Sequence, residues 1–278
     1  MKLSTWRKKL NFFGDSSEWK DGITPSIGSG DAKMLIRLLN KVRRENMVVL
    51  EVGSWVGNGS TRVITNHIRD LHAIFYCVDT WAGSENVPFH QEFRKRYNTF
   101  FEVFADNVKA YNGRDIVRPL VMPSTQACVL FPDKSLDFVF IDGNHGYSYV
   151  KQDILAWLPK IKPGGIICGH DCDACYADLD PKLRAESDLH VEEDYYTNTA
   201  YPGPKAFHAG VVKAVHEVFG GKAKHWFKTK GSTSVWSHRP GTLMDRLRVS
   251  IGGGVSASQE ESVGGKAWPK PTPWPAVS

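Results

Sequence analysis

The sequence predicts an α/β fold, a doubly wound and mostly parallel seven-stranded sheet with helices on both faces. Three observations predict it. Five short apolar runs are separated by segments with helical spacing. Most of these runs are continuously apolar rather than alternating, the pattern of strands buried on both faces. Near the end, KHWFKTK and TSVWSH read as an antiparallel pair that closes the sheet.

Taken in order, residues 1–30 form an aromatic-rich N-terminal extension ending in the turn-like PSIGSG. DAKMLIRLLNKVRREN opens with an acidic residue able to cap, and it spaces Met34, Leu35, Leu38, Leu39 and Val42 along one helical face. MVVLEV follows as the first strand, then a glycine loop and a helix from about residue 60 to 71. AIFYCVD (73–79), IVRPLVM (116–122), LDFVFID (136–142) and GGIICGHD (164–171) supply the next four strands. Helices are expected over roughly 88–111, 125–131, 149–161 and 210–220. Residues 172–205 are acidic and tyrosine-rich without a strand pattern, which predicts a long functional loop, a lid. The domain runs from 31 to 240, and residues 241–278, rich in Gly, Ser and Pro, read as a disordered tail.

Composition narrows the class. Hydrophobic residues make up 41% and charged ones 23%, which is ordinary for a chain that folds around a core. The net charge of +5 comes from small scattered basic groups, a solvated surface rather than a nucleic-acid face. The chain holds no apolar run long enough to span a membrane and no secretory h-region at its start, so the expected location is cytoplasmic. Five cysteines, an odd number, suit reduced thiols. Trp6, Phe12 and Phe13 offer an apolar surface for a second subunit, a homo-oligomer.

Ligands on such sheets bind at the carboxyl ends of the strands. Glu51 ends the first strand and EVGSWVGNGSTR turns into a helix, where Gly53, Gly57 and Gly59 permit positive φ and close approach to main-chain N–H groups. Asp79 ends the second strand, 22 residues after Gly57, the distance at which a carboxylate meets ribose hydroxyls. Ser124 and Thr125 follow the third strand, placed to cap a helix or to bond a base. Asp142 and His145 follow the fourth, His170 and Asp171 the fifth. Carboxylates and imidazoles converging on one rim suit a divalent cation, magnesium or manganese, with a free histidine as general base. Cys168, Cys172 and Cys175 with His170 offer a competing ligand set for zinc.

The runs EVGSWVGNGST, VDTWAGS and FVFIDGNHGYSYVKQDILAWLPKIKPGGIICGHD resemble class I S-adenosylmethionine-dependent methyltransferases, whose sheet is Rossmann-like. Within that class they are most similar to the small-molecule and sugar O-methyltransferase branch of macrolide-sugar and cephalosporin-pathway enzymes. The likeness covers roughly residues 30–240 and is most specific from Asp137 to Asp171. It implies transfer of a methyl group to a hydroxyl of a small molecule or sugar. It implies that Glu51, Gly53, Ser54 and Gly57 lie around the methionine part of the cofactor with Asp142, that Asp79 holds the ribose, and that Ser124 sits by the adenine. It further implies a metal on Asp142, His170 and Asp171, and His145 as the base. One departure is His170, where related enzymes carry an acidic residue, and imidazole is a poor first choice for magnesium. Three rivals share the fold: an NAD(P)-dependent oxidoreductase, a methyltransferase acting on nucleic acid, and a partner-binding scaffold without catalysis.

Overall fold

The computed structural model describes residues 27–83, 99–225 and 235–240. The expectations for residues 1–26, 84–98, 226–234 and 241–278 lie outside these residues. Strands β1 (Val48–Val52), β2 (Ile74–Asp79), β3 (Val117–Val121), β4 (Leu136–Ile141) and β5 (Ile161–Gly169) pair in parallel. Two short strands, β6 (Tyr196–Thr197) and β7 (Ala206–Phe207), form a separate antiparallel ribbon. β8 (Lys224–His225) and β9 (Trp236–His238) complete a seven-stranded sheet of order β3-β2-β1-β4-β5-β9-β8. β9 alone runs against the other six, so the expected antiparallel closure is present. The order switches direction at the β1–β4 junction, the position at which ligands bind on open sheets of this kind.

Helices cover both faces because successive strand residues point to opposite sides. Val49, Phe138 and Phe140 join a core with α1 (Ser29–Leu39), α2 (Ser60–Ile68) and α3 (Phe100–Ala110). Leu50, Val52, Val139 and Ile141 join the other core, beneath α5 (Tyr147–Trp157) and α7 (Ala209–Phe219). Between the last two in sequence come α6 (Pro181–Ser187) and, before both, the one-turn α4 (Ser124–Ala127). Trp157 and Phe207 are wholly buried on that second side. Burial at this scale, about 25 cal/mol per Å² of apolar surface, is what holds the layers together.

Several boundaries differ from the sequence expectation, each for a local reason. α1 begins at Ser29 with Gly28 at its N-cap, so Asp31 lies inside the first turn and is buried rather than capping. The same helix stops at Leu39, and Val42 packs on the core from the turn beyond. The expected helices after β3 and β4 each finish as a single 3₁₀ turn, at Cys128–Leu130 and Leu158–Lys160. The segment 172–205 is not a structureless loop. It holds α6, capped by the Asp180 carboxylate on the Lys182 and Leu183 N–H groups with Pro181 at the first position, and it enters the β6–β7 ribbon. No element there exceeds two turns, so none leaves a periodic signal.

Candidate functional site

At the end of β1, the glycines answer to the protein's own packing. Gly53 has φ +83°, and a Cβ there would sit 2.0 Å from the Asp142 carbonyl oxygen, so the main chains after β1 and β4 touch. Its N–H donates to Val78 O (2.9 Å), and Asp142 N donates to Val52 O (2.8 Å). Gly57 has φ +73°, and a Cβ would meet the Phe104 ring at 2.8 Å. Both positions therefore exclude side chains without any ligand. Glu51, fully buried on the α2 face, accepts from Thr61 Oγ1 at 2.6 Å. Burial raises its pKa to about 7, offset in part by the nearby hydroxyls of Ser60, Thr61 and Ser54. Glu51 Oε1 and Ser54 Oγ are buried with no hydrogen-bond partner among the described residues.

Asp79 binds two loops together. Its Oδ2 accepts from Trp55 N (2.9 Å) and its Oδ1 from Trp81 N (2.8 Å). Trp81 Nε1 in turn donates to Trp55 O at 2.6 Å. Both tryptophans have φ of 48°, an uncommon conformation for a residue with a side chain. Burial raises the Asp79 pKa, and the main-chain donors pull it back. Each carboxylate oxygen has a further lone pair, so acceptance from a diol remains open to it. Ser124 is oriented differently from the expectation. Its Oγ accepts from Trp157 Nε1 (2.7 Å), and it also bonds the buried Asp153, whose pKa burial raises to about 6.

The four residues expected after β4 and β5 do meet. His170 Nδ1 lies 2.9 Å from Asp171 Oδ1 and 3.8 Å from Asp142 Oδ1. His145 Nε2 lies 3.1 Å from Asp171 Oδ2. Asp171 reaches both imidazoles from φ 57°, a left-handed conformation that is strained for a residue with a Cβ. Asp142, His170 and Asp171 each offer a ligand atom within 4.8 Å of the others.

Four further residues join this cluster. Asp31 brings Oδ2 to 3.5 Å from His170 Nε2, and Asp194 brings Oδ1 to 2.7 Å from His145 Nδ1. His208, just before α7, stacks edge-on against His145 with centroids 4.6 Å apart and is held by Asp173 Oδ2 at both Nδ1 (2.5 Å) and the main-chain N–H (3.1 Å). Sequence reasoning missed all four. The only local signals were Asp173 two places after Asp171 and His208 at a helix start.

Five carboxylates face three imidazoles in the cluster. Burial opposes a proton on His145, but hydrogen bonds to Asp171 and Asp194 outweigh it and raise its pKa to about 10. Both ring nitrogens face carboxylates, so in this arrangement the ring is a doubly protonated donor. His170 is likewise raised well above its ordinary value against the cost of burial, by Asp142, Asp171 and Asp31. Burial lifts Asp142 to about 6, His170 countering and Asp171 adding to the rise. The competing zinc set does not assemble. Cys168 Sγ points at Val139 O and Cys172 Sγ at Ala174 O, and no cysteine joins a metal-capable group among the described residues.

Residues 50–172, which run from within β1 through β5 and include Asp142, His145, His170 and Asp171, match a family model described as a methyltransferase domain. Over this segment the chain is similar to that family. Over 104 residues the chain is 31% identical to an uncharacterized protein, y4gI, of Sinorhizobium fredii, and the match spans 37% of this chain but 11% of that relative. The chain is also similar to the O-methyltransferase of Bacillus cereus in complex with SAH, at 16% identity, covering 85% of this chain and 91% of that one with a TM-score of 0.45. The O-methyltransferase TomG of Streptomyces achromogenes, involved in tomaymycin synthesis and solved with SAM, gives 17% identity, 74% and 77% coverage and a TM-score of 0.46. No helix among the described residues is long and apolar enough to cross a membrane.

Proposed function

We propose that the protein is an S-adenosylmethionine-dependent O-methyltransferase that acts on a hydroxyl of a small molecule or sugar with the help of a divalent cation. The observation that carries this reading is the meeting of Asp142, His145, His170 and Asp171 beside the β1–β4 junction of a methyltransferase domain. The residues present fit the cofactor's chemistry. Glu51 Oε1 and Ser54 Oγ are buried polar atoms in want of a partner, and with Asp142 they suit the ammonium end of an amino-acid tail. Asp79 keeps lone pairs for a ribose diol. Gly53 and Gly57 are assigned to the main chain of this wall, and Ser124 to the adenine side. When bound, the cofactor supplies a sulfonium-activated methyl group.

The chain's own residues orient the acceptor and handle its proton. Holding the hydroxyl oxygen in line with the methyl carbon, about 3–3.5 Å away, is the larger part of the task. His145 is the proton acceptor: Asp171 and Asp194 hold its ring doubly protonated, so it first releases one ring proton to solvent and then takes the acceptor hydroxyl's proton at the nitrogen so freed. Asp142, His170 and Asp171 would hold the cation, which would supply Lewis-acid polarisation of a hydroxyl. The imidazole in that set favours manganese over magnesium. The 172–205 segment selects the acceptor. It is fastened over the site by Asp194 on His145 and by Glu192, which accepts from Ser148 Oγ at 2.8 Å.

Two measurements test the reading. Calorimetric titration of the full chain with S-adenosylhomocysteine and with NADH should show binding of the first only, and binding of NADH alone would overturn the assignment in favour of the oxidoreductase. Incubation of a small-molecule and glycan pool with an isotopically labelled methyl donor should then yield a hydroxyl compound carrying the label.

A further inference from the structure

Beside the oxygen-rich set of Asp142, His170 and Asp171 lies a second convergence with a different donor balance. His145, Asp171 and His208 each place one ligand atom within 4.8 Å of the other two. His145 Nε2 stands 3.1 Å from Asp171 Oδ2, and His208 Nδ1 stands 3.8 Å from Asp171 Oδ1. A tetrahedral ion with bonds of about 2.0–2.2 Å keeps its donors roughly 3.4 Å apart, so these separations need only small adjustments. Both imidazoles are already oriented by carboxylates outside the triad. Asp194 holds His145 at Nδ1 and so leaves Nε2 for an ion, the carboxylate support that fixes histidine ligands in metal sites. Asp173 Oδ2 holds His208 at Nδ1, the nitrogen that faces Asp171, so an ion there takes the place of the proton in that hydrogen bond.

We propose that His145, Asp171 and His208 form a second cation site, selective for an imidazole-preferring divalent transition ion such as zinc or cobalt. Two nitrogens and one oxygen are a poor match for magnesium, which demands oxygen donors, and a good one for zinc. The site differs in consequence from its neighbour. It shares Asp171 with the oxygen-rich set, so an ion in one competes for a ligand of the other. It also occupies His145 Nε2, the nitrogen assigned above to the acceptor's proton, so an ion here inhibits transfer. Only that last consequence rests on the methyl-transfer reading; the binding site itself rests on ligand geometry.

The test uses the full chain, stripped of metal, titrated calorimetrically with zinc chloride and with magnesium chloride in two buffers of different ionisation heat. Cobalt absorption spectroscopy is the second readout. One equivalent of zinc should bind with release of protons, because the ligands must be deprotonated. His208→Ala and His208→Gln should each weaken zinc by about tenfold or more and abolish the cobalt ligand-field bands, while His170→Ala leaves both in place. Equal zinc affinity in the wild type and in both His208 variants would overturn the proposal, as would loss of zinc in His170→Ala alone. Far-ultraviolet dichroism on the same samples shows that the variants are folded. A wild type that binds zinc in this way but not S-adenosylhomocysteine would count against the proposed function and leave the second site standing.

Discussion

Replacing Gly53 by alanine should destabilise the protein in the absence of any ligand. The new Cβ would lie 2.0 Å from Asp142 O and 2.7 Å from Gly143 Cα, both main-chain atoms that no rotamer change can move aside. Relief requires the chains after β1 and β4 to separate by more than an ångström. That movement strains the hydrogen bonds Asp142 N to Val52 O and Gly53 N to Val78 O, each worth about 1 kcal/mol net. The φ of +83° adds about 1–2 kcal/mol for a residue with a Cβ. The total is about 3–4 kcal/mol, which for a domain of this size lowers Tm by roughly 10 °C. Gly220→Ala is the control: its φ is +55° and a Cβ there meets nothing within 4 Å, so only the conformational cost of about 1 kcal/mol remains. Calorimetric or dichroic melting of the ligand-free protein measures both. If Gly53→Ala melted like the wild type and lost only cofactor affinity, the glycine would be there for the ligand and the packing argument would be wrong.

Two further outcomes follow from the site. Glu51 has a folded pKa of about 7 against an ordinary value near 4.5, so the native state binds this proton more tightly than the unfolded one; its contribution to stability is full below about pH 4.5 and is lost as pH rises through 7, a swing of about 3 kcal/mol. Glu51→Gln should therefore gain on the wild type in urea melts between pH 5 and about 8, and a difference that does not change with pH would refute the assignment. Asp194→Ala removes a half-exposed ion pair, worth less than about 1 kcal/mol to the fold. It should nevertheless loosen the segment over the site, seen as faster hydrogen exchange at the Tyr147 N–H, which donates to Val191 O. Unchanged exchange there would show that Asp194 does not hold the segment down.

The sheet was legible because runs such as VVLEV and LDFVFI are buried on both faces and carry a signal no helix of that length would. Asp142, His145, His170 and Asp171 were legible for the same reason, since parallel strands deliver their carboxyl ends to one rim. The reason for Gly53 was not, because its clash partner lies 89 residues away on β4's exit. Asp31 and His208 reach the cluster from the first and last described helices, where helical periodicity reports the buried face and is silent on a polar residue at the helix end. Ser124 was placed after the right strand, but its hydroxyl is turned to Trp157, a contact fixed by tertiary packing alone.

The clamp on Asp79 has an evolutionary consequence. Two loops that follow different strands owe their shape to one carboxylate: each contributes a tryptophan in a left-handed conformation, and the second indole closes the ring of contacts onto the first loop's carbonyl. Neither loop can lengthen or reshape alone without stranding a strained residue in the other. Variation that reshapes these loops must therefore come as paired changes around positions 55 and 81.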